Sequence, residues 1–184
     1  MTWPSQEEKR EGIYALRAPL IDAQRSLAGQ YAWAAQVTAP GDKLDALAID
    51  AAGRLLAIEV KPGTQTNGLG WTPVQVAMYV RLLRAWIEAA PDTAREVLEG
   101  MAMQRLALGL ATTSIPQLRV PIEVVPVIAV GKPIVSPREA RKRFGIVRDA
   151  LRTHGEPLDG LQLWSVEETG ELSVTDATDI DDRF

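Results

Sequence analysis

Two short apolar stretches separated by a turn give the clearest pattern in this chain. Residues 44–49 and 55–60 consist mainly of alanine, leucine, isoleucine and valine. Gly53 is the last of the three residues between Asp50 and Arg54, which suits a three-residue hairpin loop whose last residue needs a left-handed backbone. Both faces of both predicted strands are apolar, which is typical of strands covered on both sides.

The turn also fixes which charged residues meet at the open end of this hairpin. If Asp50 and Arg54 flank the turn, Asp45 lies directly across from Glu59. Side chains alternate along a strand, so Lys61 shares the face of Glu59. Charges among apolar neighbours are costly unless they are paired or bind a metal, so this cluster is a candidate site.

The rest of the pattern predicts an α/β domain with a mixed central sheet between helices. The predicted order is α-β-β-β-α-α-β-α-β. Helices are expected over 5–27, over 72–90, over 93–109 and over 136–153, and strands over 31–38, over 122–130, over 161–166 and over 172–175. We expect one domain over 1–175, followed by an acidic, mobile tail over 176–184.

Local signals set the predicted helix ends. Pro19 is expected to kink the first helix or divide it. Residues 62–71 hold three glycines and predict a loop beside Lys61. Thr72 with Gln75, and Ser136 with Glu139, have capping-box spacing and predict two helix starts.

Composition excludes several kinds of site. The 184 residues include no cysteine and one histidine, which excludes disulfides and thiolate metal centres and argues against multi-histidine sites. The N-terminus has no apolar signal-peptide core, and no apolar run reaches the length of a membrane span. We therefore expect a cytoplasmic protein with no membrane contact. The net charge of −4 argues against a general nucleic-acid coat protein, although a local basic face could still bind phosphate.

The chemistry of the charged cluster suits phosphodiester hydrolysis. Asp45 and Glu59 offer the hard oxygen ligands that Mg²⁺ or Mn²⁺ prefers. Such a metal polarises a phosphoryl oxygen and lowers the pKa of bound water. Lys61 could orient that water or stabilise charge on the phosphate. The pattern is short, and the alternative is a chance match in an ordinary strand pair.

Asp45 followed by Glu59-Val60-Lys61, on a hairpin between two helices, resembles the PD-(D/E)XK nuclease superfamily. The resemblance covers roughly residues 5–130 and implies a restriction-endonuclease-like core of order αβββαβ. It implies that Asp45, Glu59 and the Val60 carbonyl bind the metal, with Lys61 serving the attacking water. Leu44 departs from the family's proline.

A second resemblance concerns Gln75 and Tyr79, whose spacing is similar to the Q-x-x-x-Y signature of RecB-type nuclease domains. One helical turn separates the two residues, so they share a face. The resemblance implies that both lie by the active site. The alternatives are a capping role for Gln75 and a core position for Tyr79. The upstream histidine of RecB-type domains is missing.

Weaker candidates lie on the first helix and on the helix over 136–153. The superfamily often adds a carboxylate from the first helix, and Glu11 is the favoured position here. Four arginines cluster on one side of the later helix and could contact a DNA backbone: Arg138, Arg141, Arg148 and Arg152. A solvated helix face is the alternative for both. Trp71 could stack on a base or belong to the core.

The sequence thus predicts a Mg²⁺- or Mn²⁺-dependent nuclease acting on DNA, in repair, recombination or defence. The main alternative is a non-catalytic binding module of the same fold, in which Lys61 forms ion pairs with Asp45 and Glu59. An enzyme for a small phosphorylated substrate is a weaker third prediction. With no separate DNA-reading domain, recognition is expected to depend on DNA structure, a protein partner or a homodimer.

Overall fold

The computed structural model describes residues 6–36, 43–111, 114, 116–156 and 158–176, with the side chains of 6–14, 16, 36, 67, 175 and 176 left out. Four helices and five strands follow one another along this part of the chain. In chain order they are α1 (Gln6–Gln30), a 3₁₀ turn (Ala34–Gln36), β1 (Ala46–Ile49), β2 (Leu55–Pro62), α2 (Thr66–Ala89), α3 (Pro91–Ala107), β3 (Val124–Gly131), α4 (Pro137–Thr153), β4 (Gln162–Val166) and β5 (Leu172–Asp176).

The five strands form one mixed sheet in the order β1-β2-β3-β4-β5. The outer pairs, β1 with β2 and β4 with β5, are antiparallel, whereas β2, β3 and β4 run parallel to one another. Parallel neighbours need crossover connections, and α2 with α3 supplies the first while α4 supplies the second. The predicted mixed α/β class is confirmed.

The hairpin has the predicted register. Ala46 pairs with Ile58 and Ile49 pairs with Leu55, so one further step places Asp45 beside Glu59. The turn closes through the Asp50 N–H, which donates to the Arg54 carbonyl at 3.1 Å. Gly53 has φ +76°, as a left-handed turn position requires.

The predicted strand over 31–38 is wrong over residues 31–36, which form turns and the 3₁₀ segment. Tyr31 still donates its N–H to Leu27 in the last turn of α1, at 2.8 Å, and Ala34 donates to Tyr31 at 2.9 Å. The alternation of aromatic residues with alanine resembles a strand, but alanine favours helical turns. Tyr31 and Trp33 pack against the core from this turn. Over the described residues the order is α-β-β-α-α-β-α-β-β, with one strand fewer before α2 than predicted; residues 37 and 38 of the predicted strand lie outside them.

The predicted start of α2 is also wrong, because the helix begins at Thr66, inside the expected loop. Pro73 lies within the helix and lacks the N–H that would bond to the Leu69 carbonyl. Thr72 compensates, since its hydroxyl donates to that carbonyl at 2.6 Å. Thr72 therefore supplies the hydrogen bond that Pro73 cannot make, and it does not form a capping box with Gln75.

Helices α1, α2 and α4 pack together, and α2 lies against β2 and β3. The apolar side of α4 is buried as predicted, at Ala140, Phe144, Val147 and Leu151. Its predicted capping box is wrong, because Ser136 is left-handed with φ 60° and makes no side-chain cap bond. Glu139 instead pairs with Arg143 at 2.8 Å. A second, smaller hydrophobic cluster is formed by alternate residues of β2 and β3 and includes Leu56 and Val127.

Two sequence predictions concern the ends of the chain. Pro19 lies inside α1, which is one continuous helix, so the alternative of two separate helices is excluded. The predicted tail begins one residue early, since Asp176 belongs to β5. Residues 177–184 lie outside the described part of the chain.

Gly63 holds the end of β2 against the segment after β3. A Cβ atom at Gly63 would lie 2.3 Å from the Gly131 carbonyl oxygen and 2.4 Å from that of Pro133. Because both neighbours are backbone atoms, we expect Gly63→Ala to lower the free energy of unfolding by about 2–3 kcal/mol. Urea denaturation of wild type and variant measures this.

Gly100, in α3, is the matched control, because a Cβ there would meet nothing within 4 Å. Gly100→Ala is expected to stabilise the protein by about 0.5–1 kcal/mol, since alanine restricts the unfolded chain more than glycine does. Equal unfolding midpoints for Gly63→Ala and wild type would contradict the tight contact at Gly63.

Candidate active site

The charged residues of the hairpin converge at its open end. Asp45 lies immediately before β1, and its Oδ2 accepts a hydrogen bond of 2.8 Å from the Val60 N–H. The side chain thus takes the place of the Leu44 carbonyl, which would accept this N–H if the pairing of β1 with β2 continued to Leu44. This bond holds the exposed Asp45 carboxylate beside the last residues of β2, next to Glu59.

Glu59 is the buried member of the cluster, with 2% of its surface exposed. Burial raises the pKa of Glu59, the nearby Lys61 ammonium opposes that shift, and the Asp45 carboxylate adds to it. Lys61 Nζ forms an ion pair with Glu59 Oε1. The other oxygen, Oε2, is buried and has no hydrogen-bond partner, which is costly for a carboxylate without a further ligand.

The backbone N–H and C=O groups of Val60 point toward the β1 side of β2, where Asp45 lies. Hydrogen-bonding groups of successive strand residues point alternately to the two neighbouring strands. The bond from the Val60 N–H to Asp45 shows that the Val60 groups point toward β1. The Val60 carbonyl therefore points the same way, while its side chain lies on the opposite sheet face from Glu59 and Lys61.

Helix α2 presents one face to this cluster. Gly68, Gln75 and Tyr79 recur at spacings of seven and four residues, so they share a helix side. A Cβ at Gly68 would lie 3.8 Å from Lys61 Cδ, and the Tyr79 hydroxyl donates to the Lys43 carbonyl, two residues before Asp45. Half-buried Gln75 lies between these two contacts. Its capping role is excluded, whereas Tyr79 is both a core residue and a support for the segment that carries Asp45.

The four arginines of α4 differ in exposure. Arg138 and Arg152 are exposed, whereas Arg141 and Arg148 are half-buried. Arg148 lies 3.4 Å from Asp149. The helix packs against α1 and α2, so its exposed arginines are on the side away from that contact and remain candidates for a backbone interaction with DNA.

An aromatic and cationic contact beside α2 was missed by the sequence prediction. Arg143 Cζ lies 5.1 Å from the centroid of the Trp33 ring, and the Trp33 and Trp71 rings are 5.8 Å apart. Trp71 is buried in the core, which excludes the predicted stacking on a base. A Cβ at Gly70 would lie 2.8 Å from Arg143 Cβ, so this glycine permits the close approach of α4.

A cavity of about 590 Å³ opens beside Asp45, between β1 and α3. Leu47, Ile49, Leu98 and Met101 give it largely apolar walls, and Arg105 is the basic side chain among its lining residues. Nothing in the sequence pattern of α3 distinguished these residues from an ordinary amphipathic helix, because the cavity depends on how the helix lies beside the sheet edge.

The metal ligands proposed from sequence are brought together only in part. Glu11 lies in α1, but its side chain is outside the described residues. Among the described side chains, no group of three or more histidines, cysteines, aspartates or glutamates could hold a metal. Asp45, Glu59 and the Val60 carbonyl offer two carboxylates and one backbone oxygen.

None of the described helices has the length and apolar character needed to cross a membrane. Helix α2 packs on β2 and β3, and the edge hairpin of β1 and β2 brings two carboxylates and a lysine together. Comparisons with protein-family models, curated proteins and solved structures found no match.

Proposed function

We propose that this protein is a metal-dependent nuclease that hydrolyses DNA phosphodiester bonds at the Asp45–Glu59–Lys61 cluster. The observation that carries the proposal is the buried Glu59 Oε2 without a hydrogen-bond partner, beside a second carboxylate and a lysine. An orphaned carboxylate oxygen at 2% residue exposure is expensive to maintain. In the metal-free protein a proton on Glu59 facing the Asp45 carboxylate lowers that cost, and a divalent cation would satisfy the oxygen in its place.

The donor set fits Mg²⁺ or Mn²⁺, which prefer carboxylate, carbonyl and water oxygens. Asp45, Glu59 and the Val60 carbonyl would hold the ion, and water or the Glu11 carboxylate would complete its ligands. When bound, such a metal polarises a phosphoryl oxygen and supplies an activated water.

The protein's own groups then have separate tasks. Lys61 now neutralises Glu59, and with the metal in place its ammonium group is released to stabilise the charge that develops on the phosphate. The Tyr79 hydroxyl donates to the Lys43 carbonyl and so fixes the segment that leads to Asp45. Gln75, on the same helix face, would contact substrate or water.

The restriction-endonuclease-like core belongs to the same proposal. A helix before the hairpin, a helix after it and a parallel β3 beside β2 support this fold. The absence of a strand over 31–36 stands against the full αβββαβ order. DNA is the proposed substrate, with the exposed Arg138 and Arg152 supplying phosphate contacts that carry no sequence information.

The second candidate function is a non-catalytic binding module. The Lys61–Glu59 ion pair favours it, because a buried pair can be structural and need no metal. In that case the unpartnered Glu59 Oε2 has no function, and the rest of the fold offsets its cost in stability.

A cleavage assay tests the proposal. Linear and circular DNA, single- and double-stranded, are incubated with the protein in Mg²⁺, in Mn²⁺ and in EDTA. We expect hydrolysis with either metal and none with EDTA. Arg25→Ala, which removes an exposed cation on α1, is expected to cleave like wild type.

Titration calorimetry with Mn²⁺ accompanies the assay. Intact DNA in both metals together with no detectable Mn²⁺ binding would overturn the nuclease proposal and favour the binding module. Metal binding without cleavage would contradict the activity of the isolated chain on DNA, while retaining the metal site.

A further inference from the structure

Strand β1 has one side without a partner. It is the first strand of the sheet and pairs only with β2 in the described part of the chain. The Asp50 N–H bonds to Arg54, and the bonded pairs alternate along an antiparallel ladder. Ala48 and Ala46 therefore bond to β2, whereas the N–H and C=O groups of Leu47 and Ile49 point outward.

An apolar stripe along α3 comes beside this open edge at Met101, which lines the cavity next to β1. Val97, Met101 and Leu108, the residue that caps the end of α3, recur at spacings of four and seven residues and are 43%, 53% and 65% exposed. Proteins usually protect a strand edge with charges, proline or a covering element. An apolar edge next to exposed apolar side chains instead marks an interaction surface.

We propose that a second copy of this chain occupies the surface formed by the outer edge of β1 and the stripe Val97, Met101 and Leu108. Two β1 strands would pair antiparallel about a two-fold axis, and the two stripes would cover each other. The inference does not depend on the nuclease proposal, because neither metal nor DNA takes part.

Symmetry and charge favour a second copy over an unrelated partner. Antiparallel pairing of a strand with its own copy is two-fold symmetric, so the same patch serves both chains. The cavity wall carries one carboxylate, Asp45, and one guanidinium, Arg105. The lining of this cavity is therefore balanced in charge, although the whole chain carries −4, and in a pair of copies Asp45 of one chain can face Arg105 of the other.

Met101 and Met103 provide a matched pair of variants. Both lie on α3 and are exposed, at 53% and 59%, but two residues of helix separate them by about 200°, so Met103 points away from the stripe. We expect light scattering after gel filtration to give twice the 20.1 kDa chain mass for wild type. Met101→Glu should raise the dimer dissociation constant at least ~10-fold, and Met103→Glu should leave it unchanged.

Hydrogen exchange tests strand pairing itself. In the dimer the Leu47 and Ile49 amides are expected to be protected together with those of Ala46 and Ala48. On dilution below the dissociation constant, or in Met101→Glu, Leu47 and Ile49 should exchange rapidly while Ala46 and Ala48 remain slow. The persistent protection of the alanines also shows that the variant is folded.

Two results would overturn the inference. One is a wild-type mass of a single chain at about 100 μM, well above micromolar dissociation constants. The other is protection of Leu47 and Ile49 that does not change on dilution, since a segment of the same chain would then cover the edge.

Discussion

Lys61→Ala is expected to reduce DNA cleavage by about 10²–10³-fold in saturating Mg²⁺ or Mn²⁺. The side chain is largely buried and its ammonium group lies against Glu59 at the open end of the hairpin. A cation there is close to where a metal-bound phosphate would develop charge. Single-turnover cleavage of wild type and variant, at equal metal occupancy, measures the loss.

Metal affinity separates a catalytic Lys61 from a structural one. Without Lys61, Glu59 is left with no cation and is expected to bind Mn²⁺ at least as tightly as in wild type. The variant should also be less stable in EDTA and recover when metal is added, because breaking one partner of a buried pair leaves an uncompensated charge. Cleavage by Lys61→Ala at the wild-type rate would show that Lys61 has no part in the reaction.

Glu59→Gln is expected to weaken Mn²⁺ binding at least ~100-fold, equivalent to about 2.7 kcal/mol. The amide keeps the shape of the side chain but removes the charge and one ligand oxygen that a hard cation prefers. Titration calorimetry measures the affinity directly. Glu123→Gln is the matched control, since Glu123 is exposed and pairs with Arg119 at 3.2 Å, away from the hairpin end.

The same variant tests the pKa of Glu59. Burial raises the pKa of Glu59 above its ordinary value of 4.5, so the folded state holds the proton more tightly than the unfolded state. The stability that this proton contributes is complete below pH 4.5 and is lost as the pH rises through the raised pKa. In EDTA, wild type should therefore lose stability relative to Glu59→Gln over that interval.

Urea denaturation at a series of pH values measures this difference. Asp50 and Glu139 have lowered pKa values and act in the opposite direction in both proteins, so their effects cancel in the comparison. A constant difference between wild type and Glu59→Gln at every pH would contradict the raised pKa. Saturating Mn²⁺ should reduce the pH dependence, because the metal replaces the proton on Glu59.

Local pattern was sufficient to predict the hairpin. The turn residues Asp50, Gly53 and Arg54 fix the register within a few residues, and a two-residue period then determines which side chains share a face. The relation of Asp45, Glu59 and Lys61 therefore follows from short-range chemistry. The buried side of α4 was predicted for the same reason, because a helical period over four turns leaves one apolar stripe.

The start of α2 depended on contacts that the sequence pattern does not contain. Glycines in residues 63–70 favour a loop by propensity alone. In the structure Gly70 admits Arg143 at close range, and the Thr72 hydroxyl satisfies the carbonyl left without a partner by Pro73. Tertiary packing thus outweighed a weak local preference.

By itself, the sequence determined the α/β class, the hairpin register and the residues that form the charged cluster, because turn chemistry and side-chain period act over short distances. The tertiary structure decided the burial of Glu59 and the orphaned state of its Oε2. It also decided the turns at 31–36 and the apolar surface between β1 and α3. These features depend on which elements, distant in sequence, pack against one another. At the open end of the hairpin, that packing buries Glu59 beside Lys61 and raises the pKa of Glu59.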